Sequence, residues 1–198
     1  MGIEKVAVIG AGTMGAGIAQ VCAQSGWNTV LYDAFPVGLE KGMQRIDAFW
    51  DKGIARGKTT EEQKQEWSEN LRAESNLEHA VRDCDLIIEA VPEILELKQK
   101  IFQEVEQYAS ENAVFATNTS SLSIGKIASV INHPERLIGM HFFNPVPIMK
   151  LLELVKHERT SEETVHFAKE AGSAMQKTTI LVNDIPGFAT SRLGVVLG

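Results

Sequence analysis

The chain has 198 residues, 44% of them hydrophobic and 23% charged, with a formal net charge of −7. That length suits one domain with a real core, or one domain and part of a second. The acidic balance argues against nucleic acid, which attracts basic faces, and no apolar run approaches the roughly 20 residues that a membrane-crossing helix needs.

The chain opens with MGIEKVAVIG, which lacks the pattern of a secretory leader and runs directly into a short apolar strand, so a cytoplasmic protein is expected. Residues 3–9 read as that strand and 14–25 as a helix, with Met14, Ile18 and Cys22 on one face and Gly26 placed to end it. WNTVLYD reads as a second strand. Residues 36–70 form a polar helical stretch, broken near ARGKTTEEQ, where Thr60 and Gln63 have capping-box spacing. DLIIEAV is a buried strand by its continuous apolar run. PEILELKQKIFQEVEQYA is a helix with Pro92 near its start. AVFATNT, RLIGMHFF, MKLLELVK and TTILVND are further strands. SIGKIASVI is a short helix, and a longer one opens at Ser161 as cap. Strand and helix alternate throughout, which predicts an α/β doubly wound, Rossmann-type, mostly parallel sheet with an inserted helical pair. Residues 1–185 are assigned to it. The apolar, helix-like residues 186–198 are assigned to the start of a truncated C-terminal helical domain.

Gly10, Gly12 and Gly15 form G-x-G-x-x-G between a strand and a helix. Such glycines permit the tight turn, let a pyrophosphate approach the backbone and let helix and strand pack closely. The helix start at Thr13 and Met14 then offers unpaired N–H groups and about half a positive charge to phosphates. Asp33 ends the second strand, where a carboxylate can accept both ribose hydroxyls of an adenosine and repel a 2′-phosphate. NAD is therefore expected over NADP.

The reaction must be read from the later strand ends. ATNTSS places Asn118, Ser120 and Ser121 after one strand, GMHFFNPVP places His141 and Asn144 after another, and KLLELV sets Glu153 among leucines. An imidazole, with an ordinary pKa near 6.5, can take a proton from an alcohol as hydride leaves its carbon. Glu153 can steady the imidazolium, and Ser120 can donate a hydrogen bond to the substrate oxygen. Each has a plainer reading. His141 can be structural, Glu153 shares a face with Leu151 and Val155 and can be half-buried, and NTSSL can be a helix cap through Ser121 or Ser123. His79, His133, His157 and His166 read as surface residues, and no spacing predicts a metal site. Cys22 and Cys84 read as reduced thiols, in the core or half-buried.

Taken together, VAVIGAGTMGAGIA, IIEAVPE, NTSSL, GMHFFNPVPIMKLLELV and DIPGFATSR resemble the L-3-hydroxyacyl-CoA dehydrogenases, most of all the bacterial 3-hydroxybutyryl-CoA type. The resemblance implies an NAD-dependent oxidoreductase acting on a short-chain acyl-CoA, with Ser120, His141 and Glu153 as the catalytic serine, histidine and glutamate. It implies that Glu93, Lys98 and Asn144 lie along the cofactor, and that the helical pair reaches over the CoA, with Lys52 or Lys58 as phosphate contacts. After the PGF turn the family usually has an asparagine near the thioester, where this chain has Ser191. The family's C-terminal helical domain closes one side of the substrate cleft and makes a homodimer. A second reading follows from its absence here: a module that binds NAD without turnover.

Overall fold

The computed structural model describes residues 2–185; the assigned segment 186–198, with Ser191, lies outside the described residues. Eight strands form one sheet: β1 (Lys5–Ile9), β2 (Asn28–Tyr32), β3 (Leu71–Glu74), β4 (Leu86–Glu89), β5 (Val114–Thr117), β6 (Leu137–Phe142), β7 (Leu151–Lys156) and β8 (Thr178–Asn183). Their order is β3-β2-β1-β4-β5-β6-β7-β8. All neighbours are parallel except β6 and β7, which are antiparallel. The expected doubly wound α/β sheet is therefore present, and the chain order reverses between β1 and β4, where such sheets open a crevice for ligands.

Among the described residues seven α-helices connect these strands: α1 (Thr13–Gln24), α2 (Pro36–Ala55), α3 (Glu61–Glu69), α4 (Leu77–Val81), α5 (Leu95–Tyr108), α6 (Ile124–Ala128) and α7 (Glu162–Ala174). The central strands are apolar on both faces because helices cover both. One core gathers Val6, Val8, Ile18, Leu86 and Leu154, and the other Ala7, Ile9, Ile87, Phe102 and Phe115. Cys22 and Cys84 are core thiols as expected, and burial pushes both up to about 12.

The inserted pair is α2 and α3. Thr60 caps α3, accepting from the Gln63 N–H at 3.2 Å while the Gln63 side chain accepts from the Thr60 N–H at 3.0 Å. Trp50 of α2 and Trp67 of α3 meet at 5.9 Å between ring centroids, and Lys64 of α3 bonds Asp47 of α2 at 2.7 Å and also Asp51. Ser161 caps α7 by accepting from the Thr164 N–H at 3.1 Å.

Some boundaries differ from expectation for local reasons. The strand β3 and the short helix α4 carry no sequence signal, because β3 is a polar edge strand of four residues, LRAE. Helix α5 begins at Leu95, not near Pro92, because Ile94 is extended (φ −126°, ψ 117°) and the Glu93 side chain is drawn toward the loop after β5. His157 is buried, not a surface residue. Its Nε2–H donates to the Pro134 carbonyl at 3.0 Å and its Nδ1 accepts from the Arg159 N–H at 3.3 Å, so the loops before β6 and after β7 close over a neutral ring.

Burial holds the His157 pKa below its ordinary value, so the folded protein binds its proton less readily than the unfolded chain does. Its contribution is fully present above a histidine's ordinary pKa of about 6.5 and is lost as pH falls below it. We expect the urea midpoint to fall between pH 7.5 and pH 5 by more in the wild type than in His157→Gln, measured by circular dichroism.

Candidate active site

The crevice between the ends of β1 and β4 begins with the glycine turn. Gly10 has φ +100°, and a Cβ there would stand 2.9 Å from the Ala90 carbonyl oxygen. A Cβ at Gly15 would fall 1.7 Å from the Gly10 carbonyl oxygen, so only glycine lets α1 start so close to β1. A Cβ at Gly12, by contrast, would stand in open space at the mouth of the helix, in the volume an anion would use. Among the described residues no side chain caps α1 at its N-terminus, so its first N–H groups face the crevice.

Asp33 follows β2 and is fixed by two backbone donors: Ala11 N–H to Oδ2 at 2.8 Å and Phe35 N–H to Oδ1 at 2.9 Å. Each oxygen keeps acceptor capacity for a hydroxyl. The carboxylate also presents a fixed negative charge where a 2′-phosphate would sit. Gly10, Gly12, Thr13, Met14 and Asp33 line one cleft of about 610 Å³. The open helix end, the glycine clearances and the clamped carboxylate together fit NAD.

A second compartment of about 340 Å³ adjoins the first at Met14, Ala90 and Val91, and is lined by Glu93, Ser120, His141 and Asn144. His141 and Glu153 stand directly opposite in the antiparallel β6–β7 register. His141 Nδ1 lies 3.0 Å from Glu153 Oε2. Antiparallel partners on one face bring their Cβ atoms within about 5.5 Å, which suits this contact. Glu153 is fully buried rather than half-buried, in the middle of β7 between β6 and β8. With Nδ1–H donated to the carboxylate, Nε2 is the basic nitrogen of the ring. The Phe143 ring packs against the imidazole at 4.5 Å between centroids.

Ser120 sits on the loop after β5, and Glu93 organises that loop. Its Oε1 accepts from the Ser120 N–H at 2.9 Å and the Ser121 N–H at 3.1 Å, and from the Thr119 hydroxyl. Partial burial pushes the Glu93 carboxyl up, but these bonds and Lys98 hold it below the usual carboxylate range. Lys98 does not lie at the cleft surface. It is 1% exposed, with Nζ 2.7 Å from Glu89 Oε1 and 3.3 Å from Glu93 Oε2, so its charge is spent on two carboxylates beneath the cleft. Glu89, at the end of β4, also accepts from the Thr117 hydroxyl and the Val91 N–H, both at 2.7 Å. Burial pushes the Glu89 carboxyl up, against the pull of Lys98. Sequence reasoning passed over Glu89, although a lone carboxylate inside the apolar run DLIIEAV was a usable sign that a partner must exist.

Asn118 ties the same loop to β6 by accepting from the Phe142 N–H at 2.9 Å. Ser123, not Ser121, caps the following helix. Asn144 lies at the cleft, at the start of the turn between β6 and β7. Lys177, unmarked by any sequence signal, grips that turn through the carbonyls of Val146 at 2.6 Å and Met149 at 2.8 Å. Lys52 and Lys58 are exposed at the far end of α2 and in the turn after it, and line neither compartment.

Residues 5–185 match the family described as 3-hydroxyacyl-CoA dehydrogenase, NAD binding domain. The chain is 39% identical over 193 residues to a probable 3-hydroxybutyryl-CoA dehydrogenase of Bacillus subtilis (strain 168), covering 98% of this chain and 67% of that protein. It is likewise 39% identical over 195 residues to a probable 3-hydroxyacyl-CoA dehydrogenase of Caenorhabditis elegans, covering 96% and 65%. The crystal structure of 3-hydroxybutyryl-CoA dehydrogenase from Escherichia coli K12 superposes with a TM-score of 0.95 at 37% identity, over 98% of this chain and 41% of that one. The chain thus spans about two thirds of the length of the curated relatives it matches. The matched segment runs through all eight strands and both compartments of the cleft, and the chain belongs to the 3-hydroxyacyl-CoA dehydrogenase family, of which it carries the NAD-binding domain.

Proposed function

We propose that the protein serves an NAD-dependent enzyme that interconverts a short-chain L-3-hydroxyacyl-CoA, such as 3-hydroxybutyryl-CoA, and the matching 3-ketoacyl-CoA. The observation that carries this reading is the His141–Glu153 pair, 3.0 Å apart, with His141 lining a compartment that adjoins the cleft of the glycine turn and Asp33. When bound, NAD supplies the hydride acceptor or donor. His141 takes the hydroxyl proton at Nε2 and returns it in the reverse direction. Glu153 holds the ring through Nδ1 and stabilises the imidazolium, an effect strengthened by the low dielectric of its buried position. Ser120, held by Glu93, donates to the substrate oxygen as charge develops there. Glu93 and Asn144 border the nicotinamide end of the cleft, and Lys98 acts on it through Glu93. Lys52 and Lys58 are the cations proposed for the CoA phosphates, and Ser191 for the thioester side. A cytoplasmic homodimer is part of the same proposal; no helix among the described residues is long and apolar enough to cross a membrane.

One observation favours a second reading for this length of chain. It spans 67% and 65% of two relatives, so the 198-residue chain by itself would bind NADH without turning over acyl-CoA. Measurable turnover by these residues alone would reject that reading and leave the first.

Two substitutions test the assignments. In the complete product of the gene, His141→Gln should lower kcat for NADH-dependent reduction of acetoacetyl-CoA by roughly 10²–10⁴-fold with NADH affinity unchanged. Unchanged turnover would refute the base. Asp33→Ala should weaken NADH binding roughly tenfold or more and narrow the preference over NADPH, read by fluorescence titration. Equal losses for both cofactors would remove Asp33 from the discrimination.

A further inference from the structure

We propose that Glu104 reads the 6-amino group of the adenine ring and so makes the cleft selective for the base as well as for the ribose. The inference rests on the assignment of this cleft to NAD. The cleft that contains Gly12 and Asp33 also includes an apolar slot walled by Leu77, Leu97 and Ile101. Phosphates at the helix mouth and a ribose at Asp33 leave that apolar slot for the base, in the order in which a dinucleotide is joined. Helix α5 forms one side. Leu97, Ile101 and Glu104 are spaced i, i+4, i+7 and share its face, so two apolar side chains are followed by a carboxylate at the rim.

Glu104 is half-buried, and among the described residues its carboxylate has no hydrogen bond or ion pair. Lys100 lies four residues earlier on the same face and lines the same cleft, yet does not reach it. That order, lysine before glutamate, is the weaker of the two helical arrangements. The carboxylate's position over the cleft shows in Tyr32, at the end of β2. Its phenol is pushed up first by burial, then by the charges of Glu104 and Asp33. The two carboxylates thus flank the slot.

An ionised carboxylate accepts hydrogen bonds and cannot donate them. It therefore matches a base edge carrying an amino group and opposes one carrying a carbonyl oxygen. Adenine presents the 6-amino donor. Hypoxanthine carries a 6-oxo group in its place and a hydrogen on N1, so a carboxylate held at the 6-position would face an acceptor oxygen instead of a donor.

The test compares NADH with reduced nicotinamide hypoxanthine dinucleotide by nucleotide fluorescence on the 198-residue chain, with and without Glu104→Gln. We expect NADH to bind about tenfold more tightly in the wild type, the scale of a part-exposed bond to a charged group. Glutamine can both accept and donate, so Glu104→Gln should bring the two affinities within about twofold while the melting temperature stays put. Equal binding of both dinucleotides by the wild type, or a preference that survives Glu104→Gln, would overturn the role of Glu104 and leave the NAD assignment standing. Binding of neither dinucleotide would overturn both.

Discussion

A carboxylate with no exposure to water lies beneath an imidazole at the edge of the cleft, and the proposed chemistry rests on that contact. Glu153 is set in β7 with Leu152 and Leu154 as neighbours, all three fully buried. A lone ionised carboxylate in such a place is strongly disfavoured, by several kcal/mol even after relaxation. His141 answers it from the neighbouring strand, as its register partner across the antiparallel β6–β7 pair. A slip of one residue would turn one of the two side chains to the other face of the sheet. The turn between the strands, gripped by Lys177 at Val146 and Met149, keeps that register and carries Asn144 to the same cleft.

A second polar chain joins the parts of the cleft that lie on different strands. Glu89 ends β4, Lys98 of α5 stands between it and Glu93, and Glu93 holds Ser120 after β5. Each buried group is satisfied by the next, so the network resists partial loss: removing one member strands a charge rather than merely deleting a bond. Its effect is to convert three loop segments into one rigid wall. Glu89 and Lys98, both buried, support that wall from beneath the cleft.

Much of this was readable from the residues. The glycine turn and the acid after β2 are local features, and the alternation of strand with helix follows from short-range periodicity. Cap residues Thr60 and Ser161 were legible because a cap depends only on the next three residues. The strand β3 was not, because an edge strand with polar residues leaves no pattern. Nor was the interior position of His157. A ring followed by charged residues looks like surface until two loops are seen to close over it.

The sequence by itself determined the order of elements, the dinucleotide turn, and the identities of Asp33, Ser120, His141 and Glu153 as groups worth joining, since these rest on residue type and on neighbours a few positions away. The tertiary structure alone decided how they are joined: that Glu153 is a core charge facing His141, that Lys98 lies under the cleft rather than in it, and that Glu89 anchors it. Burial and pairing depend on what packs from distant parts of the chain, and a side chain's charge becomes a tool or a cost only once that packing sets the dielectric around it.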